Sequence, residues 1–509
     1  MSLVSRLTEV GHLYPDKEAI VYNEKRITYG NLIEHINRFA NGLKNFGIQK
    51  GDRILIALGN CPQFIVSYFA IMQIKAVVIP INPQYALNEI EKIAADALPV
   101  AVITDSSTAS NFIMLKERTG LPANVIVIRS EKGNFKTAIS FKEIMENGEE
   151  FFPPEHDYND DDVIEILYTH GPTGTLRGAM LTNQNLYSNA ITFLELCRLT
   201  PQDRALLVSR AYHAPAQTCA MNAPLMAGAT VVMHDIWTKP ETILRTIEEE
   251  GITFFFGTPP MYRILLDFPE HRRFKTDMLR VTCTAADPLP PDTFQAFEEK
   301  FGLQITEAYG LTETSPLICS NPVEGTKKPG SVGRPLPGIN LKIVDYEDRE
   351  VPIGQVGEIV VSGSNVMKGY YHREEETNWV MRNGWFHTED LAYMDSEGYV
   401  FIVDRKKDLL VRGGLNVHPR EVEDVLYTHP AVFEVAVIGM PDPVWGEEVT
   451  AFVHLRKDSN IDAKELQEFC KDKLAGYKIP RTIHIVDELP KTSSGKLLKH
   501  ELKNIIKNS

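Results

Sequence analysis

The stretch from Gly384 to Glu421, GWFHTEDLAYMDSEGYVFIVDRKKDLLVRGGLNVHPRE, divides the chain into two unequal parts. Upstream of it, strand-like and helix-like segments alternate. Downstream lie roughly a hundred residues, enough to fold alone. Between them, the charged run Asp404-Arg405-Lys406-Lys407-Asp408 follows the apolar strand Tyr399–Val403. Such a run cannot be buried without partners, so it belongs at a surface or a domain junction. Gly413-Gly414 then relaxes the backbone ahead of a helix expected to begin near Pro419. On this stretch alone, a solvated hairpin with a glycine turn is the favoured reading.

A chain of 509 residues exceeds one ordinary core and calls for two or more domains. With 43% hydrophobic and 24% charged residues, its composition is that of a globular protein. A formal net charge of −15 argues against nucleic acid as a partner, while leaving room for a local basic pocket. The six cysteines (Cys61, Cys197, Cys219, Cys283, Cys319, Cys470) have neither disulfide nor zinc spacing. They are expected to be buried or free thiols in a reducing cytoplasm. The most apolar run, Phe64 to Pro80, is broken by Gln73 and Lys75, so no transmembrane segment is expected.

Residues 27–47 place Leu32, Ile33, Ile36, Phe39, Ala40 and Leu43 at helical spacing. Strand and helix patterns then alternate to residue 104, which implies a parallel sheet covered on both faces. A strand, Val163–Thr169, enters the glycine-rich loop HGPTGTLRG (170–178), after which the rhythm resumes with a helix at Asn185–Leu196. Gln217–Met226 is predicted as a helix and Gln304–Tyr309 as a strand. From Lys342 to Val361 short strands suggest a small β subdomain, and the residues after the junction form a compact α+β unit. The expected fold is therefore α/β: a large domain (1–403) of layered parallel sheets with a β subdomain, and a small mobile α+β domain (404–509) hinged at Asp404.

Three loops carry chemistry-bearing residues. In 170–178, glycines let backbone N–H groups converge on a phosphate, with Thr173, Thr175 and Arg177 adding donors and charge. The Gly-Lys-Ser/Thr ending of a Walker A loop is missing, and an ordinary glycine turn fits as well. Glu307–Glu313 ends a predicted strand, where parallel sheets bind ligands. There Tyr309, Thr312 and Glu313 suit a stacked base, a phosphate and a magnesium ion, or merely a helix cap. Finally, Ser493-Ser494-Gly495-Lys496 presents a lysine as a mobile point charge, or simply as a solubilising one.

Together these motifs resemble the adenylate-forming superfamily of acyl-CoA synthetases, nonribosomal adenylation domains and beetle luciferases. The likeness spans the glycine loop, AYGLTETSP (308–316), GWFHTEDLA (384–392), VDRKKDLLVRGGLNVHPRE (403–421) and PKTSSGK (490–496). PGSVGRPLPG (329–338) and NVMKGYY (365–371) make it most similar to bacterial fatty-acyl-CoA synthetases. The resemblance implies an ATP-dependent ligase that adenylates a carboxylic acid, releases pyrophosphate and passes the acyl group to coenzyme A. ATP, Mg2+ and coenzyme A are thus implied, and a homodimer is compatible with it. By motif, Gly171, Thr173, Gly174 and Arg177 would hold phosphates, and Ala286 and Glu307 would border the nucleotide. Tyr309 would stack on adenine, Thr312 would meet the α-phosphate and Glu313 would hold magnesium. Asp390 and Arg405 would bind the ribose, His213 would flank the acyl carboxylate, and Lys496 would bridge carboxylate and α-phosphate. Rotation about Asp404 would bring Gly413 and Gly414 to the pantetheine arm.

The chain departs from the family pattern around the nucleotide. In the glycine loop His170, Pro172, Leu176 and Arg177 stand where Ser, Thr, Pro and Lys are usual, and Pro172 removes a backbone donor. Ala285 and Ala286 replace glycines, Asp287 replaces a small apolar residue, and Glu389 replaces the glycine before Asp390. Two alternatives follow: a paralogue weakened in catalysis that binds or regulates, and a ligase that hands its acyl group to a carrier protein.

Overall fold

The structure, a computed structural model, describes residues 1–129, 137–152, 159–170, 176–235, 239–457, 459, 461–491, 497–499 and 501–502, without the side chains of His170 and Lys407. Among these residues the large domain holds two big sheets. One has eight strands, in the order Gly369–Tyr370, Leu176–Thr182, Val163–His170, Val77–Pro80, Arg53–Ala57, Ala101–Asp105, Asn124–Ile128 and Ile139–Ser140. The other has nine and runs from Arg334–Pro335 through Thr306–Gly310, Val281–Thr284 and Arg204–Leu207 to Lys25–Thr28. The central strands of both are parallel, as the strand–helix rhythm predicts. One continuous apolar core joins the sheets and includes Ile54 and Ile126 from the first and Ala205 and Val281 from the second.

Local sequence explains most of these elements. In the helix Tyr29–Asn45, Leu32, Ile36, Phe39, Ala40 and Leu43 are buried at helical spacing, and the Thr28 side chain caps the first turn by accepting from Asn31 N. The expected start at residue 27 gives way to a short strand, Lys25–Thr28, which pairs antiparallel with Glu18–Tyr22. The helix Pro62–Gln73 is buried on all sides, which accounts for its nearly unbroken apolar sequence.

Two expectations are corrected. The glycine loop does not lead straight into a helix: Leu176–Thr182 pairs antiparallel with Val163–His170, in continuous register from Glu165↔Leu181 to His170↔Leu176 with a shift between Val163 and Glu165. The expected phosphate-binding residues 171–175 lie outside the described residues, and the helix follows at Asn183–Leu196. The segment predicted as one helix at 217–226 is a π-helix, Ala216–Asn222, running into a short α-helix, Ala223–Met226. Seven buried residues in a widened turn are uncommon and recur at functional sites.

The β subdomain is a four-stranded antiparallel sheet, Ile339–Val344, Gly357–Gly363, Phe386–Met394 and Val400–Arg405. Its last strand continues to Arg405, with Asp404 paired to Leu391 and Arg405 to Asp390. The C-terminal part builds its own sheet around Val432–Asp442 and Gly446–Leu455, with the helices Pro419–Tyr427 and Ala463–Lys471. Val422, Leu426, Val435, Val437, Val449, Ala451 and Leu466 form a separate core there. All six cysteines are free and buried. Among the described residues no helix is long and apolar enough to cross a membrane.

Candidate active site

The second loop is assembled at the carboxyl end of the parallel strand Thr306–Gly310. Gly310 is required there, because a Cβ would lie 1.7 Å from the Pro316 carbonyl oxygen. The chain can then turn through Thr312–Thr314, with Leu311 N donating to Pro316 O at 2.9 Å. Tyr309 Oη donates to Asp390 Oδ2 at 2.6 Å, and Arg405 Nε lies 3.1 Å from Asp390 Oδ1. Burial, reinforced by the Asp390 charge, holds the Tyr309 phenol well above its ordinary pKa, so it is a donor. Asp390, and to a lesser degree Tyr309 and Glu313, raise the pKa of Arg405. Residues far apart in sequence thus form one cluster: an aromatic ring, a carboxylate with lone pairs to spare, and a fixed cation.

Glu313 stands beside this cluster. Tyr370 Oη donates to Glu313 Oε1 at 2.9 Å and Thr169 Oγ1 at 3.4 Å, so both bonds described fall on the same oxygen. Among the described residues no group of three or more His, Cys, Asp or Glu could hold a metal. A single oriented carboxylate nevertheless fits magnesium, which takes one or two carboxylates and completes its shell with phosphate and water. Arg177 lies 2.7 Å from Glu376 and 5.3 Å from the centre of the Tyr370 ring, so its charge is already paired next to the tyrosine that orients Glu313.

The remaining expected residues have varied settings. Glu307 is buried, and its carboxyl accepts from Leu289 N at 3.1 Å, bracing the 285–290 loop; burial pushes its pKa up to about 7. Ala286 is exposed with φ +83°, and Glu389 has φ +61°. Both keep the backbone that glycine favours even though each has a side chain. The Glu389 N–H donates to Glu358 Oε1 at 3.0 Å. The His213 ring packs 4.7 Å from the Tyr212 ring, and its buried Nε2 has no hydrogen-bond partner. Burial, with the Arg210 charge beside it, lowers its pKa to about 4, so the imidazole is neutral near pH 7. Thr312 is half-buried at the start of its turn. Gly413 and Gly414 join the strands Leu410–Arg412 and Leu415–Val417 with φ +58° and +81°, and a Cβ on Gly413 would lie 2.7 Å from the Trp445 ring. Gly171, Thr173, Gly174 and Lys496 lie outside the described residues.

Sequence reasoning missed three contributors. Tyr370 and Thr169 orient Glu313; Tyr370 sits inside NVMKGYY, where only its position 57 residues downstream hid the contact. Glu358 is the third. It is buried, within 2.5 Å of Lys406 Nζ and 3.2 Å of His387 Nδ1. Burial alone would raise its pKa, but His387 and Lys406 together bring it to about 2. At the junction the buried Asp404 carboxylate accepts from Arg405 N at 2.7 Å and from Arg420 N, in the first turn of the next helix, at 3.2 Å.

The chain is similar to known proteins. The family model of the AMP-binding enzymes matches residues 7–371, and that of their C-terminal domain matches 421–496. A long-chain-fatty-acid–CoA ligase of Bacillus subtilis is 34% identical over 98% of this chain and 94% of its own. A feruloyl-CoA synthase of Amycolatopsis is 35% identical over 96% of each chain. ATP-bound MatB from Rhodopseudomonas palustris superposes with a TM-score of 0.91 at 32% identity, covering 100% of this chain and 99% of that one. An anthranilate CoA ligase, AuaEII, in complex with anthranoyl-AMP gives 0.92 at 25% identity over 99% and 97%. On these matches the chain belongs to the AMP-binding enzymes, the adenylate-forming family of acyl-CoA ligases.

Proposed function

We propose that this chain is a fatty-acid–CoA ligase that forms an acyl adenylate from ATP and then an acyl thioester on coenzyme A. The observation that carries the reading is the convergence of Tyr309, Asp390 and Arg405 beside Glu313 at the ends of the parallel strands. Tyr309 offers its face to adenine, while Asp390, already fixed by two donors, accepts from the ribose hydroxyls. Glu313, aimed by Tyr370 and Thr169, would hold magnesium, which offsets the charge of the phosphate oxygens. Thr312 would meet the α-phosphate, and His213, neutral and unpartnered at Nε2, would flank the acid.

In the first half-reaction a carboxylate oxygen attacks the α-phosphorus, and the bond to the β-phosphate oxygen breaks, releasing pyrophosphate. Two anions meet in this step, so electrostatic compensation dominates the barrier. Lys496 supplies that charge in the reading, with Gly171, Thr173 and Gly174 around the phosphates. In the second half-reaction the thiol sulfur attacks the acyl carbon, the acyl–phosphate oxygen bond breaks and AMP leaves. Domains 1–403 and 404–509 turn about Asp404 between these steps, bringing Gly413 and Gly414 to the thiol arm.

An apolar acid is supported by the buried segments Ala216–Met221 and Phe254–Phe256 and by the fatty-acid ligases among the relatives. An aromatic acid is the second reading, favoured by the 35% identity to a feruloyl-CoA synthase. Pyrophosphate release from ATP with medium- and long-chain fatty acids and with cinnamic and benzoic acids tests both. The ligase reading predicts release with at least one acid and a matching acyl-CoA product. Release with none, and no shift in melting temperature with ATP, would leave the weakened-paralogue alternative. Offering a phosphopantetheinyl carrier in place of coenzyme A decides the acceptor.

A further inference from the structure

Glu165 is fully buried in the strand Val163–His170, and among the described residues none beside it carries a charge to compensate an ionised carboxylate. Its pairing neighbours across the sheet, Leu181 and Val78, are apolar. Tyr68, from the fully buried face of the helix Pro62–Gln73, places its Oη 3.2 Å from Glu165 Oε2. From the π-helix Ala216–Asn222, Gln217 lies against the carboxyl and Asn222 Nδ2 donates to Tyr68 Oη at 3.5 Å. Tyr68 is the only titratable group among these contacts. Glu165 Oε1, Asn222 Oδ1 and both amide atoms of Gln217 are buried without a hydrogen bond of good geometry, so this knot is held by few bonds.

The knot lies between two parts of the active site. Strand alternation puts Glu165, Leu167 and Thr169 on one face, so Thr169, which touches Glu313, is about 13 Å along the strand from Glu165. The π-helix is tied at its other side to the same site. Gln217 N donates to His213 O at 3.1 Å, and Thr218 Oγ1 donates to Ser315 O at 3.2 Å, two residues beyond Glu313.

We propose that Glu165 is a positioning residue: with Tyr68 it fixes the π-helical segment 216–222 against the strand that feeds the phosphate loop, and so sets His213 and Thr218 on the wall that receives the carboxylic acid. An ionised Glu165 would be a buried charge with no cation beside it among the described residues, so ionisation disfavours the packing of this knot even though the Tyr68 and Gln217 contacts by themselves favour the charged form. Burial raises its pKa to about 8, so the neutral form prevails at neutral pH and is lost on the alkaline side. The kinetic half of this proposal rests on the ligase reading; the structural half does not.

The test compares the full-length wild-type chain with Glu165→Gln and Glu165→Ala. Amide hydrogen exchange in peptides covering 216–222 is read first, then KM for acid and for ATP from pyrophosphate release between pH 6.5 and 9.5. Glu165→Gln is expected to protect 216–222 as the wild type does. Glu165→Ala is expected to speed exchange there and to raise KM for the acid about tenfold, with KM for ATP and kcat within about twofold. In the wild type the KM for acid should climb as the pH passes the ionisation of Glu165, whereas Glu165→Gln should stay flat. Unchanged exchange in Glu165→Ala, equal rises in both KM values, or the same alkaline rise in Glu165→Gln would each overturn the proposal. If no acid is turned over by the wild type, the ligase reading fails and exchange alone decides the role of Glu165. Should Glu165→Ala not fold, Tyr68→Phe, which deletes the hydroxyl and keeps the ring, takes its place under the same criteria.

Discussion

Ala286 and Glu389 show how much one residue can retain of the conformation it replaces. Each stands where the family uses glycine, and each keeps a left-handed backbone, at φ +83° and +61°. A side chain in that region costs about 1 kcal/mol or more, so Ala286→Gly and Glu389→Gly should each stabilise the chain by about 1 kcal/mol. A higher denaturant midpoint at unchanged slope is the expected result. Tyr370 is the second residue to test. Tyr370→Phe removes the donor that orients Glu313, and loss of such a partner typically weakens metal binding about 10–100-fold. The magnesium concentration for half-maximal pyrophosphate release should rise within that range while the fold is kept. The glycine departures were legible in the sequence, but the backbone they preserve was not, because φ is set by the loop as a whole. Tyr370 was hidden for a different reason: a contact between residues 313 and 370 leaves no local pattern.

At the scale of elements, the strand Gly357–Gly363 and the junction after Arg405 are tied by Glu358 and Lys406 at 2.5 Å, with His387 on the same carboxylate. The Glu358 pKa is about 2 in the fold and about 4.3 in an unfolded chain. The sign follows: its contribution to stability is fully present above the unfolded value and is lost as pH falls through the folded one. Lys406→Met removes one of the groups that depress the folded pKa, so acid unfolding should begin at higher pH than in the wild type. Circular dichroism between pH 5 and 2 measures it, and identical acid transitions would remove Lys406 from the tie. The charge run 404–408 was legible as a junction because ions need partners or water. Its partner was not legible, since Glu358 looks like any acid on an alternating strand. The pairing of Leu176–Thr182 with Val163–His170 was missed because glycine signals end a strand without saying whether the chain returns to pair with it.

The whole molecule has a large N-terminal domain and a smaller C-terminal one, each with its own core. They meet across a groove of about 340 Å3 lined by Pro290, Pro291 and Asp292 on one side and Asp424, Val425, Tyr427 and Thr428 on the other. Arg420 Nη1 donates to Ile402 O at 3.0 Å, and its backbone N–H meets the Asp404 carboxylate. If the small domain serves both half-reactions in turn, Lys496→Ala should abolish acyl-adenylate formation and leave thioester formation from supplied acyl adenylate within about tenfold. Equal losses in both half-reactions would refute that division. The sequence by itself determined the domain order, the strand–helix rhythm, the junction and the motif residues, because periodicity, glycine placement and charge runs act over a few residues. Only the tertiary structure decided that Tyr309, Asp390 and Arg405 meet, that Tyr370 aims Glu313, and that a buried Glu165 accepts from Tyr68. These contacts are energetically worthwhile only after packing has removed water from both partners, and the partners are too far apart along the chain for any local pattern to announce them.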